Sequence, residues 1–470
     1  MNPPITTPPP SRWLPILLAL SIFMQLLDAT ILNTALPKMA QDLNESPLNM
    51  QSAVISYTLT LALLTPLSGY LCDRYGTRKV FIIAMALFAG GSALAAASPN
   101  LPLLVFARVV QGMGGAMLTP VPRLVLLRAS DQTRLLGIMN CMIMPALLGP
   151  VMGPLVGGYL VEYASWHWIF LINVPIGLIG IVMTQRLMPN YYAPDGERPH
   201  FDALGFLLFS SGAVSLSLAV EMLNHPGAGL FASVCAAFGL LALMFYRQHA
   251  LHDPQALYTP DLLQVRTFRL GILGNTVSRL GMASVPFLLP LLLQVAFGRS
   301  ASISGWVLAP IALAALLTKP MVKPLLTRFG YRHVLIWNTR LIGLMIMALS
   351  LPNADTPLWL LIPLLFALGM CNSLQYSTMN TLTLSDLRIY QASSGNSLMA
   401  VNQQLAISIG IALGALLLNW FSRSAPPQSV ELANAFEHTF LIIGAITFCS
   451  SWVFARLHPQ DGSSMVAKKA

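Results

Sequence analysis

The chain has 470 residues, 55% of them apolar and 9% charged, with a mean hydropathy of +0.67. A soluble domain carries about 25% charged residues to solvate its surface, so cytosolic enzymes, nucleic-acid binders and secreted disulfide scaffolds are excluded. The net charge of +9 would point to an anionic partner in a soluble protein. Here it reads as the excess of Lys and Arg that membrane proteins keep on the cytoplasmic side.

The apolar residues fall in blocks of about 20, enough to cross a ~30 Å hydrocarbon core as a helix. Residues 1–12, MNPPITTPPPSR, read as a cytoplasmic tail leading into an uncleaved first span. Fourteen helices are then predicted, over roughly 13–36, 50–71, 79–98, 102–122, 135–160, 166–188, 201–223, 227–249, 268–295, 302–326, 332–351, 357–380, 393–421 and 435–456. The breaks between them, such as SPNLP, MPNYYAPDGERPH and LPNADTP, are rich in Pro, Asn and Gly. The predicted fold is an all-α polytopic membrane protein.

Span 1 carries LDATILNTALP, with Asp28 well inside the apolar run, Asn33 five residues on and Pro37 near its end. Low dielectric disfavours the charged form of a carboxylate, which suits a group that binds and releases protons; a merely hydrogen-bonded Asp is the plainer reading. After span 2 comes GYLCDRYGTRK, in which Gly69, Asp73, Arg74, Gly76 and Arg78 form a candidate charge latch at a helix junction. Positive-inside anchoring is its plainer alternative.

Span 4 reads LVFARVVQGMGGAML. An intramembrane Arg costs at least about 2.5 kcal/mol on the insertion scale, so Arg108 is expected to face a polar cavity or an anion unless it reaches the outer interface. Gln111 follows as a second polar handle, with Gly112, Gly114 and Gly115 for close packing. Span 5 reads LLGPVMGPLVGGYL, where Gly149, Gly153 and Gly157 recur every four residues, with Gly158 beside them. Pro150 and Pro154 repeat at the same interval and remove backbone donors. Trp166 and Trp168 read as interfacial anchors.

In the second half of the chain, Arg279 lies near the middle of span 9 with no intramembrane carboxylate available to it. Arg340 is close enough to a span end to reach the interface. Asn372, Gln375 and Asn380, and then Asn402, Gln403 and Gln404, could line a cavity or hydrogen-bond between helices. The candidate substrate cavity is Asn33, Gln111, Arg279, Asn372 and Gln375. The cysteines are dispersed, with no His at ligand spacing, so neither a disulfide framework nor a metal site is indicated. No phosphate-binding Gly-Lys-Ser loop is present; no enzyme activity and no cofactor are expected, and transport would be gradient-driven.

Placing the N-terminus in the cytoplasm puts twenty of the 26 Lys and Arg residues inside and three outside, with three within spans. Both termini are therefore expected in the cytoplasm. GYLCDRYGTRKV and KPLLTRFGYRHV share an Arg-aromatic-Gly-x-Arg core 254 residues apart. In the second copy Lys323 and Thr327 replace Gly69 and Asp73. The copies are eight spans apart where a six-plus-six repeat would give six, so spans 7 and 8 are insertions. The expected organisation is a tail (1–12), a six-helix bundle (13–190), two inserted transmembrane helices (200–250), a second six-helix bundle (266–458) and a tail (459–470).

Together these motifs resemble the drug:proton antiporter branch of the major facilitator superfamily with fourteen spans. LDATILNTALP is similar to its span 1 signature, GYLCDRYGTRK to its signature loop, ARVVQGMGGA to its span 4 motif and LLGPVMGPLVGG to its span 5 antiporter motif, followed by WHWIFLINVPIGL. The resemblance implies a major facilitator fold of two six-helix bundles plus two extra central helices. It also implies alternating access, proton coupling and export of small molecules from a bacterial inner membrane by a monomer. Carried over by position, Asp28 is the protonation site and Arg108 its coupled cation. Asp73 and Arg74 belong to the cytoplasmic gate, and the Gly149 to Gly158 stretch forms the sealing bend. Two substrate classes stay open: small amphipathic drugs, or an anionic or zwitterionic metabolite such as a carboxylate chelate, to which Arg108 and Arg279 would answer if unpaired.

Overall fold

The structure, a computed structural model, describes residues 13–129, 148–192, 201–223, 227–253, 255–388, 391–422 and 426–462. The tail 1–12 and the last residues of the tail 459–470 lie outside this range. All regular structure among the described residues is helical. The first half contains α1 (Leu14–Asp42), α2 (Gln51–Leu64), α3 (Leu67–Tyr75), α4 (Thr77–Ala96), α5 (Leu101–Leu118), α6 (Pro120–Ala129), α7 (Leu148–Tyr163), α8 (Trp168–Leu171) and α9 (Asn173–Leu187). Over the stretch expected to be an inserted pair lie α10 (Ala203–Met222) and α11 (Gly229–His252), followed by the short α12 (Asp261–Gln264). The second half contains α13 (Arg266–Leu291), α14 (Ala301–Ala348), α15 (Leu361–Leu384), α16 (Ala392–Phe421) and α17 (Val430–Ala455).

Eleven of the described helical stretches are long and apolar enough to cross a bilayer, or twelve when α2 and α3 are taken as one span bent by 58°. Pro66 caps α3 at that bend, where its missing N–H breaks the helical ladder. Helix α14 has 48 residues; at 1.5 Å per residue it would be about 72 Å long, more than two bilayer cores. It is broken at Gly330, where φ is 72° and ψ 162°, and so makes two passes. The expected fifth span is described only from Leu148, because residues 130–147 lie outside the described range.

Gly76, between α3 and α4, has φ 88° and ψ 142°. Gly76 and Gly330 are 254 residues apart, the spacing of the repeated loop motif, and both adopt a left-handed φ that side chains with a Cβ resist. The repeat seen in sequence is thus a repeat in backbone conformation.

Helices α10 and α11 pack chiefly on each other, with smaller contacts from α10 to α16 and α2. Among the described residues the two halves share an apolar core at one end, where Ile31, Leu36 and Met39 of α1 meet Leu288, Leu308 and Phe436. At the other end the core divides into a first-half cluster around Leu17, Phe81, Phe88 and Val121 and a second-half cluster around Leu326, Leu335 and Phe454. The bundle therefore converges at the end of Asp42, Tyr163 and Ala301 and parts at the end of Tyr75 and Gly330. Polar ties between the halves follow the same pattern. Ser302 N donates to Glu162 (2.9 Å), Trp306 Nε1 to the Tyr159 hydroxyl (3.2 Å) and Gln294 Nε2 to the Thr34 carbonyl (3.0 Å), while Thr58 and Ser408 hydroxyls pair at 2.8 Å.

Candidate functional site

Two residues singled out by the cost of charge in an apolar span come together. Arg108 Nη1 donates to Asp28 Oδ2 at 2.7 Å, and each side chain is 1% exposed. Gln111, three residues beyond Arg108 and so on the same face of α5, accepts from Arg108 Nη1 (2.6 Å) and donates to Asp28 Oδ1 (2.7 Å). Asn173, the first residue of α9, donates to the same Oδ1 at 2.9 Å, and Ser92 of α4 accepts from Gln111 at 2.8 Å. The guanidinium also donates through Nε to the Ala53 carbonyl (3.2 Å) and lies over the Tyr57 ring, 4.1 Å from its centroid.

The condition under which Arg108 would answer an anionic substrate, that it be unpaired, is not met: its partner lies 80 residues upstream on α1. Taking two charges out of water is costly unless geometry and extra hydrogen bonds compensate, and here the carboxylate receives three side-chain donors.

Sequence reasoning did not select Ser92, Asn173 or Tyr57. The available signal was Asn173 beside Pro175 in FLINVP, an amide at a helix start inside an apolar run.

Close packing around the node depends on missing Cβ atoms. A Cβ on Gly91 would lie 2.5 Å from the backbone N of Gln111, and one on Gly112 would lie 2.8 Å from Thr60. A Cβ on Gly114 would strike the Ala84 carbonyl and sit 2.5 Å from Phe88 N. Gly114→Val is expected to lower stability by roughly 1–3 kcal/mol through overpacking against backbone. Thermal denaturation of the purified variant would check this; an unchanged melting temperature would show that α4 and α5 can separate.

The span 5 motif wedges between α1 and the other half. A Cβ on Gly149 would meet Leu27 N at 2.9 Å, one on Gly153 would meet Thr30, and one on Gly157 would meet the Ile31 carbonyl at 2.6 Å, all beside Asp28 on α1. Gly158 faces the second half, where a Cβ would lie 2.6 Å from the Ala301 carbonyl, and Gly305 faces Pro154. Pro154 lies within α7 and Pro150 in its first turn.

In the loop motif, Gly76 turns the chain against Asn190, which accepts from Arg78 N (3.0 Å), while Thr77 N donates to the Tyr191 carbonyl (3.0 Å). Arg74 donates to the Tyr70 hydroxyl and lies near the Tyr70 and Tyr75 rings. Asp73 is half-buried. A Cβ on Gly69 would meet no described residue within 4 Å.

The cavity candidates scatter. Gln111 belongs to the Asp28 node. Gln375 is buried between α14 and α15, donating to Thr339 (2.8 Å) and accepting from Asn338 (2.8 Å). Asn33 is buried, with its side-chain oxygen unpartnered among the described residues. Asn372 is half-buried and makes no hydrogen bond to a described side chain. Arg279 is half-buried, donates Nε to Asn275 (2.7 Å) and lies 4.7 Å from the Tyr376 centroid; among the described residues no carboxylate is within ion-pair distance. Asn380 with Gln403 (2.6 Å) and Asn402 with Thr276 (2.8 Å) tie helices together. Trp166, expected at the interface, is instead 2% exposed and donates to Asp42 at 3.0 Å, whereas Trp168 is exposed.

The sequence profile described as Major Facilitator Superfamily matches residues 18–255 and 271–470. The chain belongs to the major facilitator superfamily. Among its relatives in that superfamily, a protein of Pectobacterium atrosepticum named "Putative multidrug resistance protein MdtD" is 40% identical over 99% of this chain and 100% of the relative. An Escherichia coli protein of the same name is 41% identical over 98% of this chain and 97% of its own length. A crystal structure of the peptide transporter POT in complex with sulfate superposes with a TM-score of 0.73 at 16% identity, covering 98% of both chains. That likeness establishes the major facilitator fold. The protein is accordingly a multi-pass membrane protein of a transporter superfamily.

Proposed function

We propose that this major facilitator protein is a proton-coupled antiporter that exports small amphipathic compounds across the bacterial inner membrane by alternating access. The observation that carries the reading is the fully buried Asp28–Arg108 pair with its three-sided carboxylate. A proton on Asp28 would cancel the charge that holds Arg108, so proton binding and the present arrangement exclude each other. That exclusion is the thermodynamic requirement for coupling. The names of the MdtD relatives favour multidrug substrates.

In this reading the parted end faces the cytoplasm, as the Lys and Arg distribution requires, and both termini lie there. The halves 13–190 and 266–458 rock about the inserted pair 200–250 as a monomer, with no cofactor and no enzymatic step. Gly69, Asp73, Arg74, Gly76 and Arg78 control the cytoplasmic end. Gly149, Pro150, Gly153, Pro154, Gly157 and Gly158 seal the opposite one. Asn33, Arg279 and Asn372 contribute to the substrate path. In proteoliposomes with an imposed pH gradient, a lipophilic cation should exchange for protons; a gradient that moves no cation would count against the reading.

A second reading, export of an anionic or zwitterionic metabolite such as a carboxylate chelate, is favoured by Arg279. With Arg108 neutralised by Asp28, Arg279 leaves an unbalanced positive charge within a span, which an anion would satisfy. Arg279→Gln is expected to reduce export of a tricarboxylate at least tenfold while sparing lipophilic cations. An equal fall for both would make Arg279 a packing residue against Tyr376.

A further inference from the structure

The segments flanking α10 and α11 contact both halves at the parted end, through Phe201 before α10 and Tyr258 after α11. Asp202, 6% exposed, caps α10 through Gly205 N (2.7 Å). The same carboxylate accepts from His249 Nε2 near the end of α11 (2.8 Å) and from Leu257 N of the linker that runs into α13 (3.0 Å). One side chain thus joins three segments. Burial works against its charge, but the Gly205 and Leu257 amides and His249 outweigh it and hold the carboxyl below its usual range. The contribution of a depressed carboxyl is fully present above its unfolded value, about 3.9, and is lost only as pH falls through the lower folded one. Asp253 lies 3.8 Å from the same His249 Nε2, and Arg247 and His252 of the same helix are exposed.

The ties extend outward from this node. In the linker, Tyr258 N donates to the Tyr246 hydroxyl (2.8 Å), which donates back to the Tyr258 carbonyl (2.9 Å), and Phe209 packs on both rings. The Tyr258 hydroxyl reaches Ser397 of α16 at 3.3 Å, on the second half. On the first half, Phe201, adjacent to Asp202, stacks on Tyr70 of α3 at 4.9 Å, and Tyr70 carries the Arg74 hydrogen bond of the loop motif. A helix pair serving only as a lipid-facing spacer needs none of these polar and aromatic ties.

We propose that the inserted pair is a strap across the parted end, latched by Asp202, whose contacts to Tyr70 and Ser397 hold that end open. The inference rests on the alternating-access reading. Closing the parted end must alter the separation that the strap spans, and contacts made in one state only bias the equilibrium toward it. Asp202, Phe201 and Tyr258 are positioning residues here and touch no substrate.

The test is a distance measurement by double electron–electron resonance on the full chain in nanodiscs, with native cysteines replaced. Labels are placed at Lys79→Cys and His333→Cys, exposed positions that correspond across the 254-residue repeat. Losing a capping carboxylate or an aromatic stack changes an equilibrium about fivefold, so Asp202→Ala and Phe201→Ala should each cut the long-distance population by about that factor. Phe201→Tyr, which keeps the stack, should restore it. Phe201→Ala leaves the cap intact and carries the test if Asp202→Ala does not fold. Two populations whose proportions ignore every variant would overturn the strap and leave alternating access standing. A single distance in the unsubstituted chain at all pH values, with and without a lipophilic cation, would overturn both.

Discussion

Asp28→Asn is expected to abolish transport driven by a pH gradient while leaving substrate exchange across the membrane in place. The substitution removes the proton site and also unbalances the node. An Asn oxygen can accept from Gln111 and Asn173 as Asp28 Oδ1 does, but its amide then faces Arg108 Nη1, donor against donor. Removing one partner of a buried pair costs about 3–5 kcal/mol, so the melting temperature should fall as well. The two effects separate in one set of measurements: membrane insertion and counterflow report folding and binding, and pH-driven accumulation reports coupling. A well-folded variant that still accumulates substrate under a pH gradient would remove Asp28 from the mechanism.

Gly158→Leu should act on the conformational equilibrium. A Cβ at Gly158 lies 2.6 Å from the Ala301 carbonyl and 2.9 Å from Ser302 Cα, and opposite it Gly305 admits Pro154. These are backbone atoms of the other half, so relief requires the halves to separate. Overpacking costs about 1–3 kcal/mol, and here it falls only on the state with this end closed. That corresponds to a shift of roughly 5- to 150-fold toward states open at this end. Labels at Tyr163→Cys and Leu351→Cys, both strongly exposed, should move apart and pH-driven transport should fall by a comparable factor. An unchanged distance would mean that the wedge of α7 is not what seals the converged end.

The parts of this architecture legible in sequence were those that carry a cost. Asp28 and Arg108 stood out because charge in an apolar run is expensive, and the small-residue stripe from Gly149 to Gly157 did so because its period matches a helix face. The repeated loop was visible as a motif and reappears as two left-handed glycines, Gly76 and Gly330. What a single sequence could not give was which helix faces which. Arg108 could be set beside Asp28 only through the family resemblance, because the two lie on different helices, and Gln375 looked like a cavity residue because its burial against Asn338 and Thr339 depends on how α14 meets α15. Ser92 was invisible for a related reason, and Asn173 carried only its place near Pro175 as a signal: short polar side chains in helices carry little penalty and are common. The bond from Asp202 to the linker could not be read because a capping Asp looks the same whether or not it also holds a distant amide.

The measurement that bears most directly on the central claim is proton release on substrate binding, read by a pH dye in weakly buffered purified protein. Additions of a lipophilic cation and of a tricarboxylate would be compared for the unsubstituted chain and Asp28→Asn. Release is expected from the unsubstituted chain with at least one of the two and none from Asp28→Asn. Equal release from both proteins would contradict it, and the Asp28–Arg108 pair would then be a structural element of the first half.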